Sequence, residues 1–214
     1  VCMLVALMIG FLVSGIFSGE KRYHAASVYF ASYHGRKKAV LAKIEAGIFT
    51  VTLLYWGTML LYSGIVLGCL GVQGSQCLIQ TQFGNWKSFY EMTIGQEFLC
   101  ILLGGYIGCL FFGSLTMLIS AWSNSGTAAA VVPFILILAP SFLVGTQIHF
   151  LDKILGLLPD QMLQMEGVIS GFSLYSIGGT IVEALPILLI FYSALSVGLL
   201  PAIYRIYRTK EVRE

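Results

Sequence analysis

Four carboxylates stand at the edges of long apolar runs: Glu20, Glu45, Glu97 and Glu183. An acidic side chain within a bilayer is expensive and by default suggests a proton or ion relay. None of the four falls in the middle of an apolar run, so each reads as a carboxylate at the water boundary. Glu45, two residues from Lys43, reads as interfacial, and Glu183, ahead of Pro186, as facing an outer cavity. His24, His34 and His149 are not at metal-ligand spacing and read as solvated. Cys2, Cys69, Cys77, Cys100 and Cys109 are odd in number and contain no CxxC pair, which points away from a metal or redox motif. Cys69 and Cys77 both fall toward one face, so a disulfide between them stays open. The chain has no G-x-x-x-x-G-K-[ST], no H-E-x-x-H and no G-x-S-x-G. An enzyme is therefore not expected, and no cofactor or metal is called for.

The polar chemistry concentrates elsewhere, between Gly19 and Lys43. This stretch reads Glu20-Lys21-Arg22-Tyr23-His24, then an aromatic run, then Gly35-Arg36-Lys37-Lys38, then Lys43. One apolar run ends just before it, at Phe17, and another begins just after it, at Ile44. Tyr23, Ala26, Phe30 and Tyr33 recur at three- and four-residue steps, which predicts a short amphipathic helix with an aromatic face. Gly35 is a plausible stop. Arg36, Lys37 and Lys38 would then precede the next span, where cations oppose the helix dipole but are attracted to anionic lipid by about 1 kcal/mol each. Such a face fits either lipid or a soluble partner, and on pattern alone the lipid-lying helix is favoured.

What frames this hairpin is a lipid-like chain. Of 214 residues, 57% are hydrophobic and 10% charged, far below the charge of a soluble domain. The apolar residues fall in blocks near the length a bilayer requires. The expected fold is all-α: one polytopic transmembrane helix bundle over 1–214. Its five spans lie at about 1–17, 44–70, 98–120, 127–146 and 181–204. Backbone groups in lipid must bond internally, and the runs lack the period-2 alternation of a barrel. The chain opens on Val1 inside an apolar run with no basic region before it, which argues against a signal peptide. It reads as a truncated protein.

Charge orients the bundle. The hairpin 18–43 and the tail 205–214 hold Lys21, Arg22, Arg36, Lys37, Lys38, Lys43, Arg205, Arg208, Lys210 and Arg213, against Lys87 and Lys153 in loops 71–97 and 147–180. The first side is cytoplasmic by the positive-inside rule, and the C-terminus with it. Trp86, Phe89 and Tyr90 read as interfacial anchors of the first outer loop. The second, with Leu158-Pro159-Asp160 and four glycines (Gly167, Gly171, Gly178, Gly179), either packs on the outer ends of the spans or re-enters the membrane. Gly64 and Gly68, Gly104 and Gly108, and Ala194 and Gly198 have the four-residue spacing that permits close helix approach. Pro133, Pro140 and Pro186 are expected to kink their helices.

Phe17-Ser18-Gly19-Glu20, then Ala31-Ser32-Tyr33-His34-Gly35-Arg36, then Ala42-Lys43, resembles the cytoplasmic hairpin of type-2 ABC transporter permeases. His34-Gly35 departs from the proline that many members carry. The later layout is similar too: three further spans, a proline-containing outer segment between the last two, and a basic tail. The resemblance covers nearly the whole chain, through short motifs, and the family's usual six spans imply a first span missing here. It implies an integral protein of a bacterial plasma membrane, the permease subunit of an exporter. Its partners would be a cytoplasmic ABC ATPase subunit, a second permease subunit in a homo- or heterodimer, and membrane lipid, with no nucleic acid. The ATPase contact would be the coupling hairpin. Glu20 and Arg36 would frame its helix, and Tyr23, Phe30 and Tyr33 would form the docking face. The rivals are an ion-coupled secondary transporter, which needs mid-membrane polar residues or related halves, a membrane-embedded enzyme, and a non-transporting immunity or sensor subunit.

Overall fold

A computed structural model describes residues 1–22, 38–82, 84–85, 88–123, 125–143, 153, 155–171, 173–177 and 180–208, with backbone only at 19–22, 141, 143, 177, 180 and 208. The architecture is mostly helical. Five long helices are α1 (Cys2–Arg22), α2 (Val40–Leu70), α3 (Ile94–Ser123), α4 (Gly126–Leu143) and α6 (Ala184–Arg208). Between α4 and α6 lie a 3-10 turn (Pro159–Met162), the short helix α5 (Met165–Ser170), and the antiparallel strands β1 (Leu174–Ile177) and β2 (Thr180–Glu183).

Three helices are long and apolar enough to cross a membrane, at Val40–Leu70, Ile94–Ser123 and Ala184–Tyr207. Cys2–Ser18 and Gly126–Pro140 are shorter apolar helices. On α2, Leu53, Leu60, Leu61, Ile65 and Leu70 are each more than 60% exposed. A contiguous apolar surface of that kind belongs in lipid or under a partner, not in water.

The helices alternate in direction. Cys2, at the start of α1, reaches Gly105 in the first half of α3, and Ser14 and Ser18, near its end, reach Ser120 near the end of α3. α1 and α3 are therefore parallel. α2 runs against both, with Gly47 on Met117 and Ile16 and Tyr55 on Leu102. Gly126 starts α4 beside Ser18, and Tyr207, near the end of α6, packs its ring at a tilt against that of Phe17. One end of the bundle thus gathers the roots of the 23–37 segment, the α3–α4 turn and the C-terminal tail.

α3 is the hub, packed on α1, α2, α4, α5 and α6. Its glycines make that possible. A Cβ on Gly105 would lie 2.7 Å from the Tyr55 hydroxyl and 2.8 Å from Cys2 Sγ, and one on Gly113 would lie 2.7 Å from a Val51 methyl. The start of α3 is a reciprocal cap, with Thr93 N–H donating to Gln96 Oε1 (2.9 Å) and Gln96 N–H to Thr93 Oγ1 (3.3 Å). α2 stops at Gly71, whose φ of 78° suits a glycine and whose N–H returns to Leu67 O (2.9 Å).

Several expectations are corrected. The fold is not wholly α. β1 and β2 pair from Leu174↔Glu183 to Ile177↔Thr180, so the last helix starts at Ala184 rather than 181. Leu-Tyr-Ser-Ile and Thr-Ile-Val-Glu flank Gly178-Gly179 in the sequence, a hairpin signature that the apolar run obscured. α1 runs on to Arg22, which places Glu20 in a helical last turn rather than in a polar loop. Pro186 is the third residue of α6, in the first turn, where its missing N–H has no intrahelical partner to lose. Pro201 is the interior proline instead. Cys69 and Cys77 are exposed free thiols.

Candidate functional site

The residues proposed from sequence for the ATPase contact, Tyr23, Phe30, Tyr33 and Arg36, lie outside the described residues, as does the Glu20 side chain. The structure does place what holds that hairpin at both roots. Phe17, one turn before the polar stretch, is buried, and its ring lies 5.0 Å from that of Tyr207 in α6. Lys43, in the first turn of α2, sets its Nζ 5.4 Å from both ring centroids. A cation at a helix start opposes the dipole, and two aromatic faces offset that cost. Three helix ends meet at this node.

A second tie runs between α1 and α3. The Ser120 hydroxyl donates to Ser14 O (2.7 Å) and accepts the Ser18 N–H (3.2 Å), and the Ser18 hydroxyl also donates to Ser14 O (3.1 Å). These bonds tie the last third of α1 to the end of α3. Gly126 is needed beside them, since a Cβ there would lie 2.9 Å from Ser18 Oγ.

The opposite end is capped by protein. Loop 71–93 folds back on itself through Ile79 N–H to Met92 O (3.1 Å) and Ile94 N–H to Cys77 O (2.9 Å). Tyr90 is buried and stacked on Phe89 at 4.4 Å, so this aromatic pair packs on the core instead of anchoring at an interface. Trp86 and Lys87 lie outside the described residues. Ser88 donates to Ile169 O (2.7 Å), tying this loop to α5. Glu97 is buried rather than water-facing, and accepts a hydrogen bond from Asn85 Nδ2 (2.9 Å).

The 158–170 segment goes deeper. Met162 and Leu163 press on Gly108, each 3.0 Å from where a Cβ would lie, and Met165 presses on Gly104. At 1.5 Å per residue, these glycines lie about 15–21 Å along α3 from Ile94. The segment therefore packs against the middle of α3 and does not stop at its end. Asp160 rides on it, 2% exposed, with Oδ1 lacking a hydrogen-bond partner and Oδ2 accepting from Gln161 Nε2 (3.3 Å). Sequence reasoning did not single out Asp160, because it sits in a loop by every local signal. Only the depth of the segment makes it unusual.

Between α1, α2, α3 and α5 lies a cavity of about 500 Å³. Among the described residues, no group of three or more His, Cys, Asp or Glu side chains is placed to hold a metal ion.

No family model, curated protein or solved structure matches this chain.

Proposed function

We propose that this chain is the transmembrane permease subunit of an ATP-driven exporter, with five spans contributed by α1, α2, α3, α4 and α6. A separate cytoplasmic ATPase would dock on the 20–36 hairpin, and a second permease subunit would complete the pathway. The observation that carries this reading is the node at the hairpin roots. Phe17, Lys43 and Tyr207 join the entry helix, the exit helix and the last helix at one point. A push on the hairpin from below would reach three spans at once, through packed side chains rather than a flexible linker. The basic residues gathered at this end are consistent with a cytoplasmic face. A ligand-driven change also requires two arrangements of a bistable element. The segment pressed on Gly104 and Gly108 would be that element.

The test is co-purification of the ATPase with the permease, alongside ATP-dependent transport in vesicles. Phe30→Asp should lose the ATPase or uncouple hydrolysis from transport while the spans still insert, and Tyr33→Ala should do so more weakly. Truncating an aromatic anchor in an interface typically costs about 2 kcal/mol or more. A lipid-facing aromatic would tolerate exchange for Leu. Retention of both the ATPase and coupled transport by Phe30→Asp rules the docking site out.

One observation favours a second reading, ion-coupled secondary transport. Asp160 brings a buried carboxyl to the middle of the bundle, where sequence alone placed none. Transport driven by a proton gradient without ATP, and abolished in Asp160→Asn, would select that reading.

A further inference from the structure

Residues 155–170 lie against α3 without being part of a long helix, and what holds them there is easily parted. Met162 and Met165 are buried and meet Gly108 and Gly104. Glycine offers no side chain to interlock with them, so the contact is smooth. Three hydroxyls donate to backbone carbonyls on the segment or just ahead of it. They are Ser88 to Ile169 O (2.7 Å), Tyr192 to Leu157 O (2.7 Å), and Tyr175 to Lys153 O (2.9 Å). Both halves of such bonds find water when they separate, so breaking them strands no charge. Asp160 is the exception. It is the one ionisable side chain between 155 and 165. It is buried, Oδ1 has no hydrogen-bond partner, and no cation pairs with it among the described residues. The elements packed on its turn are α3, α4, α5 and α6. α4 carries no titratable residue, α3 carries Glu97, Cys100, Tyr106 and Cys109, and α5 carries the exposed Glu166. On α6 the near group is Tyr192, whose hydroxyl is committed to Leu157 O, while Arg205 lies toward the opposite end of that helix.

We propose that residues 155–170 are a pH-operated plug, seated on Gly104 and Gly108 when Asp160 carries a proton and released when that proton passes to water. A neutral carboxyl tolerates the buried turn. A carboxylate there lacks both a cation and a full set of donors, and it regains hydration only by leaving. The seated arrangement therefore binds one proton more than the released one. Rising pH shifts the population toward release, and acid reseats the segment. The switch goes beyond the exporter reading. It needs neither ATP nor a transported substrate, so either can fail alone.

Amide hydrogen exchange of the purified chain in lipid nanodiscs tests it, at pH 5 and pH 8, with rates corrected for the intrinsic chemistry of exchange. Protection of peptides from 158–170 should fall about tenfold or more between the two pH values, since one proton supports up to about tenfold per pH unit. Peptides from α2 should keep their protection. Asp160→Asn should keep the segment protected at both pH values. Glu91→Gln, which removes an exposed carboxylate elsewhere, should behave as the unmodified chain. Tyr192→Phe takes away the hydroxyl on Leu157 O. It should lower protection of the segment at both pH values and preserve the fall between them, and it carries the test if Asp160→Asn does not fold. The proposal is overturned by protection of 158–170 that does not change with pH, by the same fall in Asp160→Asn, by a fall that α2 shares, or by unaltered protection in Tyr192→Phe.

Discussion

Asp160 shows how one side chain can oppose the fold that buries it. Its side chain is 2% exposed, and Oδ1 has no hydrogen-bond partner among the described residues. A buried carboxylate with one oxygen unpartnered costs the folded state about 1–3 kcal/mol. Asp160→Asn removes the charge and keeps the shape. It should raise the thermal stability of the detergent-solubilised protein. Unchanged or lowered stability would show that the carboxylate is solvated or paired. Nothing local in Leu-Pro-Asp-Gln marks this residue, since a Pro-Asp pair is ordinary turn chemistry.

At the scale of elements, spacing alone did not tell working glycines from idle ones. Gly104-x-x-x-Gly108 and Gly64-x-x-x-Gly68 look alike in sequence. The first pair receives Met165, Met162 and Leu163, while a Cβ on either of the second would meet nothing within 4 Å. Gly108→Val should push the 158–170 segment off α3 and cost about 1–3 kcal/mol by overpacking. Gly64→Ala should be neutral or stabilising by up to about 1 kcal/mol, through helix propensity. Thermal unfolding of the two variants side by side checks the contrast, and equal effects would refute it. The long helices were legible because apolar runs of span length have few other fates. The β1–β2 hairpin was missed because Ile181 and Val182 extend the apolar run of α6 backward. The cavity was not legible at all, since its lining comes from four separate stretches of chain. The hairpin root was half legible. Lys43 was visible as a span-opening cation, but Tyr207 as its partner required the tertiary fold. Tyr207→Ala should remove the ring beside Phe17 and loosen the end of α6 without unfolding the bundle. Faster proteolysis at 205–214, with intact far-UV circular dichroism, is the expected signature.

For the whole molecule, the alternation of helices makes two claims that labelling can separate. One is architectural: position 35 and position 210 are expected to share an end, because the roots of the hairpin and of the C-terminal tail meet at Phe17, Lys43 and Tyr207. The other is orientation: that end is expected to face the cytoplasm, because ten basic residues fall within 18–43 and 205–214 against Lys87 and Lys153 in 71–97 and 147–180. Three single-cysteine variants in a cysteine-free background report on both: Gly35→Cys, Lys210→Cys, and the native Cys77, which is exposed at the opposite end. A membrane-impermeant maleimide added to intact cells should label Cys77 and spare the other two until the membrane is opened. Inversion of all three would keep the bundle but reverse its orientation, and a cytoplasmic ATPase could then not reach the hairpin. Labelling of position 35 and position 210 from opposite sides would break the architecture itself. A span between them would then have to be gained or lost. Cys2–Ser18 and Gly126–Pro140, shorter than the other apolar helices, are the segments where that would happen.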